Sequence, residues 1–269
     1  MRALAFASLL LAFLLAFAPA RADEIACKET DHSSSSTGVV LLHGGLSNYF
    51  VQPLERRLKR AGFRVVMPEM PWSERREYDQ PYMEALQEVD RAAKGLREQG
   101  ARRIVIVGHS FGANAALGYG AYYDHVAGIV VMAPGQMPEL PSFQKFVGPS
   151  VAQARAMVAA GHGNEHGVFK DFLQWRHVNE NHATAANYLS YFAPDAKDIF
   201  PKNAAMLKPG TPLLWFVGRQ EEDNMALGKA YAYDKAPPTP LNRYIVLPKG
   251  HLDVPVEAED MIVEWLKCL

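Results

Sequence analysis

Six runs along the chain are apolar almost without a break: GVVLL (38–42), FRVVM (63–67), RIVIV (103–107), GIVVM (128–132), LLWFV (213–217) and RYIVL (243–247). A strand with one wet face alternates apolar and polar residues, whereas a strand covered on both faces does not. The runs are therefore predicted to be strands of a sheet with both faces covered. Between them lie segments of helical character at 51–62, 82–100 and 112–123, and the final stretch EAEDMIVEWLKCL is predicted to be a closing helix. Gly62 and Gly100 stand where a helix C-terminus favours glycine. Strand–helix alternation of this kind predicts the α/β class, a mostly parallel sheet with helices on both faces. The rhythm lapses between 136 and 211. No strand-like run is legible there, only helical or irregular stretches such as SVAQARAMVAAG and AANYLSYF. An interval of that length is too long for an ordinary connection and is expected to be a helical lid insertion.

The first residues depart from this pattern. Arg2, an apolar stretch over 3–17 and Ala20-Arg21-Ala22 form the n-region, h-region and cleavage site of a secretory signal peptide, giving residues 1–22 as the signal and 23–269 as the mature domain. The apolar stretch is shorter than the ~20 residues a membrane span needs, and no other stretch is long and apolar enough to span. The mature chain is expected to be exported, to the periplasm or beyond. Its two cysteines, Cys27 and Cys268, stand near the mature ends. In an oxidising compartment they read as a disulfide, with two free thiols as the alternative.

Composition narrows the partners. With 49% hydrophobic and 21% charged residues among 269, the chain is globular. A formal net charge of −1 without any Lys/Arg-rich run argues against nucleic acid and anionic membrane surfaces. A small-molecule substrate is the remaining class, and nothing in the sequence bears on oligomeric state.

The candidate chemistry sits where strands end. RIVIV runs into Gly108-His109-Ser110-Phe111-Gly112, and the small residues Ala113, Ala115 and Ala116 follow. A sharp strand-to-helix turn would strain Ser110 and crowd positions 108 and 112, which the glycines relieve, and the helix N-terminus sets N–H groups beside the hydroxyl. A serine hydroxyl needs a base to take its proton and an acid to orient that base. LLWFV is followed by Glu221, Glu222 and Asp223, and RYIVL by PKGHLD, which contains His251. Nucleophile, acid and histidine thus each follow a strand, in that order.

With Gly108–Gly112, the acidic loop and His251 in this order, the sequence resembles the α/β-hydrolase superfamily over most of the mature chain, with LLHGG (41–45) similar to the family's oxyanion loop. The resemblance implies that the N–H groups of Phe111 and Gly45 receive the developing oxyanion, with Gly44 and Leu46 as neighbouring alternatives, and that His43 braces the loop. It also implies an acid about three residues past Gly218, which selects Glu221, with Asp223 as runner-up and Glu222 as the weakest choice. Two departures stand out: the early antiparallel strands are missing, and three acids replace one clear Asp.

The implied activity is a carboxylesterase-like serine hydrolase acting on an ester, thioester or amide through an acyl-enzyme, with Ser110 as nucleophile, His251 as base and Glu221 as orienting acid. It needs neither metal nor organic cofactor. The alternatives are a non-catalytic binding protein on the same fold and an acyltransferase using the same triad. Tyr49, Phe50, Trp72 and Trp175 lie in segments that face a pocket or build core, and Tyr49, Trp72 and Trp175 are the candidate substrate-binding residues. HGNEH (162–166) matches H-x-x-E-H, but Gly161, Gly163 and Gly167 oppose the helix that motif requires, so it reads as a polar loop. His109 needs no catalytic role, and His32, His125, His177 and His182 read as surface or structural residues.

Overall fold

A computed structural model describes residues 33–45, 47–173 and 177–269. The proposed signal peptide, Cys27, His32, Leu46 and Trp175 lie outside the described residues. All six predicted strands form: β1 (Thr37–Leu42), β2 (Arg64–Val66), β3 (Arg103–Ser110), β4 (Gly128–Pro134), β7 (Leu213–Gly218) and β8 (Arg243–Leu247). They make one sheet in the order β2-β1-β3-β4-β7-β8, parallel throughout.

The near-continuous apolar runs have the expected cause. Val40, Leu42, Ile104, Ile106, Ile129, Val131, Leu213 and Trp215 face one layer of helices. Their chain neighbours Val39, Leu41, Val105, Val107, Val130, Met132, Leu214 and Phe216 face the other. The first layer holds α2 (Tyr82–Glu98), α3 (Phe111–Tyr122) and the interval between β4 and β7. The second holds α1 (Gln52–Arg60), α8 (Val254–Glu257) and α9 (Glu259–Lys267), whose Trp265 is fully buried. β2 and β8 are the sheet's edges, so they are only partly buried and depart from the both-faces expectation. Gly62 and Gly100 take φ of +90° and +96° just past α1 and α2, the left-handed geometry that ends both helices.

The interval between β4 and β7 corrects the expectation that it lacks strands. Besides α4 (Pro141–Ala159), α5 (Ala185–Phe192) and α6 (Phe200–Ala205), it contains an antiparallel hairpin of β5 (His166–Leu173) and β6 (His177–Thr184). The hairpin alternates as a half-buried strand pair should: Phe169, Asp171, Asn181 and Ala183 are buried, while Val168, Lys170 and His182 are exposed. Two of these four buried residues are polar, which hides the alternation from a hydrophobicity reading. Asn114 of α3 ties the interval down at two points, its Nδ2 donating to Gln136 O (2.8 Å) and to Asp198 O (2.6 Å).

Asp171 is the buried acid of the hairpin, and Tyr78 Oη donates to its Oδ2 at 2.6 Å. Burial pushes the Asp171 carboxyl up to about 6, against the opposing pull of the Tyr78 hydroxyl. The folded chain therefore holds this proton to higher pH than the unfolded chain. Native stability falls as pH rises from about 4 to about 6, by up to about 3 kcal/mol. Asp171→Asn should remove that slope, so its Tm relative to the parent should be higher at pH 7 than at pH 4. Equal differences at the two pH values would show that Asp171 titrates as an ordinary carboxylate.

Candidate active site

Ser110 ends β3 and caps α3 with φ 55° and ψ −117°, a conformation that costs a non-glycine residue about 1–3 kcal/mol. The surrounding glycines explain how the turn is accommodated. A Cβ on Gly108 would fall 2.0 Å from Gly112 O, within the turn itself. A Cβ on Gly112 would fall 2.4 Å from Leu42 O and 2.6 Å from His43 O. Gly112 therefore clears the end of β1, a reason that differs from the expected crowding against Ser110. Two further glycines, from the ends of the flanking strands, border the serine. A Cβ on Gly44 would lie 3.0 Å from Ser110 Cβ, and one on Gly135 would lie 2.7 Å from Ser110 Oγ.

The three acids after β7 meet two fates. Glu221 is buried, while Glu222 and Asp223 are exposed in the first turn of α7 (Glu222–Tyr231). Glu221 Oε2 accepts from His251 Nδ1 at 2.7 Å, and both residues are 7% exposed. Asn224 Nδ2 donates to the same oxygen at 2.7 Å and to Pro134 O at 3.0 Å, which ties the carboxylate to the end of β4. Glu221 Oε1 accepts the Gly218 N–H. With Nδ1 donating to the carboxylate, His251 keeps its proton-accepting lone pair on Nε2.

Burial holds His109 and His43 neutral. His109 Nε2 lies 3.0 Å from His251 O. A carbonyl only accepts, so Nε2 carries the proton. Burial, and secondarily the nearby His251, pushes His109 down to about 3. The residue before Ser110 thus ties the His251 main chain to the end of β3, with the two rings 5.0 Å apart. His43 accepts the Met70 N–H on Nε2 (3.0 Å) and donates from Nδ1 to Gly44 O (2.6 Å). Both bonds exist only in the neutral Nδ1–H tautomer, and burial lowers the His43 pKa accordingly. His43 is a brace of the loop carrying Gly44 and Gly45.

Trp72 is corrected from pocket wall to core. It is 2% exposed, donates Nε1–H to His43 O at 2.9 Å, and stacks on Phe111 with ring centroids 4.8 Å apart. Tyr49 is 68% exposed and meets Phe50 edge-to-face. Phe111 is the first residue of α3, so its N–H has no intrahelical partner by position. Gly45 lies in a bend after β1. HGNEH is a turn entering β5, with His162 Nδ1 bonded to Glu165 Oε1 at 2.6 Å. Among the described residues no group of three or more His, Cys, Asp or Glu side chains is arranged to hold a metal ion, and no helix is long and apolar enough to cross a membrane. Asn224, Gly135 and the His109–His251 bond were not singled out from sequence. The i,i+3 spacing of Glu221 and Asn224 was the one signal available for them.

No curated protein matches the sequence. Among solved structures, the chain is similar to the Paleococcus ferrophilus monoacylglycerol lipase at 20% identity, covering 86% of this chain and 93% of that one with a TM-score of 0.60. It is similar to a thermostable carboxyl esterase from Bacillus coagulans at 16% identity, covering 84% and 88% with a TM-score of 0.61. It is also similar to a structure reported for two metagenome-derived lipolytic enzymes, at 16% identity, 85% and 91% coverage and a TM-score of 0.59. These likenesses concern the fold. The family model described as the alpha/beta hydrolase family matches residues 39–265, and the chain belongs to that family.

Proposed function

We propose that the protein is a serine hydrolase, carboxylesterase-like, that cleaves an ester, thioester or amide through an acyl-enzyme. The observation that carries this reading is the buried Glu221–His251 hydrogen bond, with the His251 main chain held by the residue preceding Ser110. Ser110 Oγ attacks the substrate carbonyl while His251 Nε2 takes its proton, and Glu221 stabilises the imidazolium that forms. The N–H groups of Phe111 and Gly45 receive the oxyanion, each donor contributing about 3 kcal/mol in the transition state. His251 then protonates the leaving group, and water, activated by the same histidine, releases the acid. Among the described residues no hydrogen bond joins Ser110 Oγ to His251, so in this mechanism the bond forms as substrate seats. The segment 136–211 acts as the lid that shapes access. A fluorophosphonate probe should label the folded protein at Ser110, and p-nitrophenyl acetate should be turned over. Absence of both would favour a binding protein on this fold, and acyl products formed with an added alcohol would favour transfer.

Export is part of the same reading, supported by the n-region, h-region and Ala20-Arg21-Ala22 sequence. Cys27 and Cys268 form a disulfide in the exported protein, a pairing supported by there being two cysteines in the whole chain and by the burial of Cys268 at the end of α9. Mass spectrometry without reduction should find neither thiol alkylated, and reduction should lower stability by about 2–5 kcal/mol. Two alkylated thiols before reduction would rule the bond out.

A further inference from the structure

A cavity of about 340 Å³ opens between the loop after β1, where Ser47 and Asn48 line it beside His43, and the loop after β2, where Glu69, Ser73, Glu74 and Arg75 line it. Its volume lies in the range of small-molecule sites. Its place in the sheet brings it to the proposed chemistry. β1 is the neighbour of β3, and β2 is one strand further out. At about 4.8 Å per strand, the loop after β2 begins roughly 10 Å from the strand that ends in Ser110, on the same carboxyl edge.

Among the described residues every side chain lining it is polar, and together they offer both donors and acceptors. Arg75 pairs with Glu69, which also accepts from Ser73 Oγ at 3.0 Å. Asn48 Oδ1 is engaged by Gln52 Nε2 at 3.0 Å, which leaves its own N–H groups to donate. Glu74 is exposed and makes no ion pair among the described residues. Tyr49, the residue after Asn48, lies outside the lining and exposes 68% of its surface. An alkyl group placed here would strip water from carboxylate, amide and guanidinium groups without replacing their hydrogen bonds. A group bearing several hydroxyls would replace them, and its C–H face would rest on an exposed ring such as Tyr49. The aromatic side chains nearer Ser110 do not supply an apolar alternative: Trp72, Phe111, Tyr78 and Tyr191 are buried against one another.

We propose that this cleft binds the polyhydroxylated alcohol portion of the substrate, so that the enzyme cleaves acyl esters of sugars or polyols. The proposal rests on the serine hydrolase reading above. The test is acetate release from 6-O-acetylglucose, glycerol monoacetate and hexyl acetate, with p-nitrophenyl acetate as a common reference. At least one of the two hydroxylated esters should exceed hexyl acetate in kcat/KM by tenfold or more, and the better of the two identifies sugar or glycerol as the source. Glu74→Gln and Tyr49→Ala, both exposed and outside the core, should each lower the ratio of the preferred ester to hexyl acetate by about tenfold, through KM. Equal or greater activity on hexyl acetate, or an unchanged ratio in both variants, would overturn the cleft assignment while leaving the hydrolase reading intact. No turnover of any ester, the reference included, would overturn both.

Discussion

Ser110→Ala is expected to lower kcat by a factor on the order of 10⁶ and to abolish fluorophosphonate labelling, while leaving the melting temperature close to that of the parent. The size of the loss follows from the proposed role as nucleophile. Without the nucleophile the remaining groups bind and polarise a substrate but form no acyl-enzyme, and residues that act as one unit lose nearly all their effect when one is removed. Alanine keeps the backbone problem that serine has at φ 55°, so the fold is unaffected. Ser110→Gly separates the two effects. It should be equally inactive, yet more stable by about 1–3 kcal/mol, because glycine adopts this region without the steric cost. Thermal unfolding of the three proteins checks the stability order. Retained turnover in a pure Ser110→Ala sample would remove the serine from the mechanism.

Glu221→Gln should lower kcat by about 10⁴, while Glu222→Gln and Asp223→Asn remain near the parent value. The carboxylate receives three donors, from His251 Nδ1, Asn224 Nδ2 and the Gly218 N–H. A glutamine amide has one accepting oxygen and brings two donors of its own. If its nitrogen faces His251, the imidazole must accept on Nδ1 and carry its proton on Nε2, the tautomer that cannot deprotonate Ser110. If its nitrogen faces Gly218, a buried donor meets a donor, at a cost of about 1–3 kcal/mol. The variant should therefore lose both activity and some stability, and the Tm must be read beside the kinetics. Glu222 and Asp223 are exposed and have no bond to His251 among the described residues, so their amides change little. Collapse of kcat in Asp223→Asn alone would move the acid by two residues.

Which parts of this were legible beforehand follows from where polar side chains sit. The central strands were readable because burial on both faces leaves only apolar residues, as in Val39–Leu42 and Ile104–Val107. The hairpin of β5 and β6 was not, because the polar Asp171 and Asn181 occupy buried positions, and the bond from Tyr78 that accounts for Asp171 spans 93 residues. In the site, the serine, histidine and acidic loop were readable from glycine spacing and strand order. Singling out Glu221 needed the family resemblance as well, since three adjacent acids look alike until one of them is buried. Trp72 was misplaced for a related reason. An aromatic residue after a strand reads the same whether it walls a pocket or braces a loop, and the bond from Trp72 to His43 O depends on residues 29 positions apart.

The two bonds from Asn114 to Gln136 O and Asp198 O mark the limits of an exchangeable cassette. β4 and β7 are adjacent, and their register from Ile129↔Leu213 to Met132↔Phe216 involves no residue between Gln136 and Asp198. Parallel neighbours need a crossover of at least a dozen residues, and beyond that minimum the entropy of closing a longer one grows only with the logarithm of its length. Segments of different length and shape can therefore be spliced between these two anchors while the ends of β3, β7 and β8 keep their spacing. If the segment is the proposed lid, recombination at those two points would diversify what the protein admits without rebuilding Ser110, Glu221 or His251.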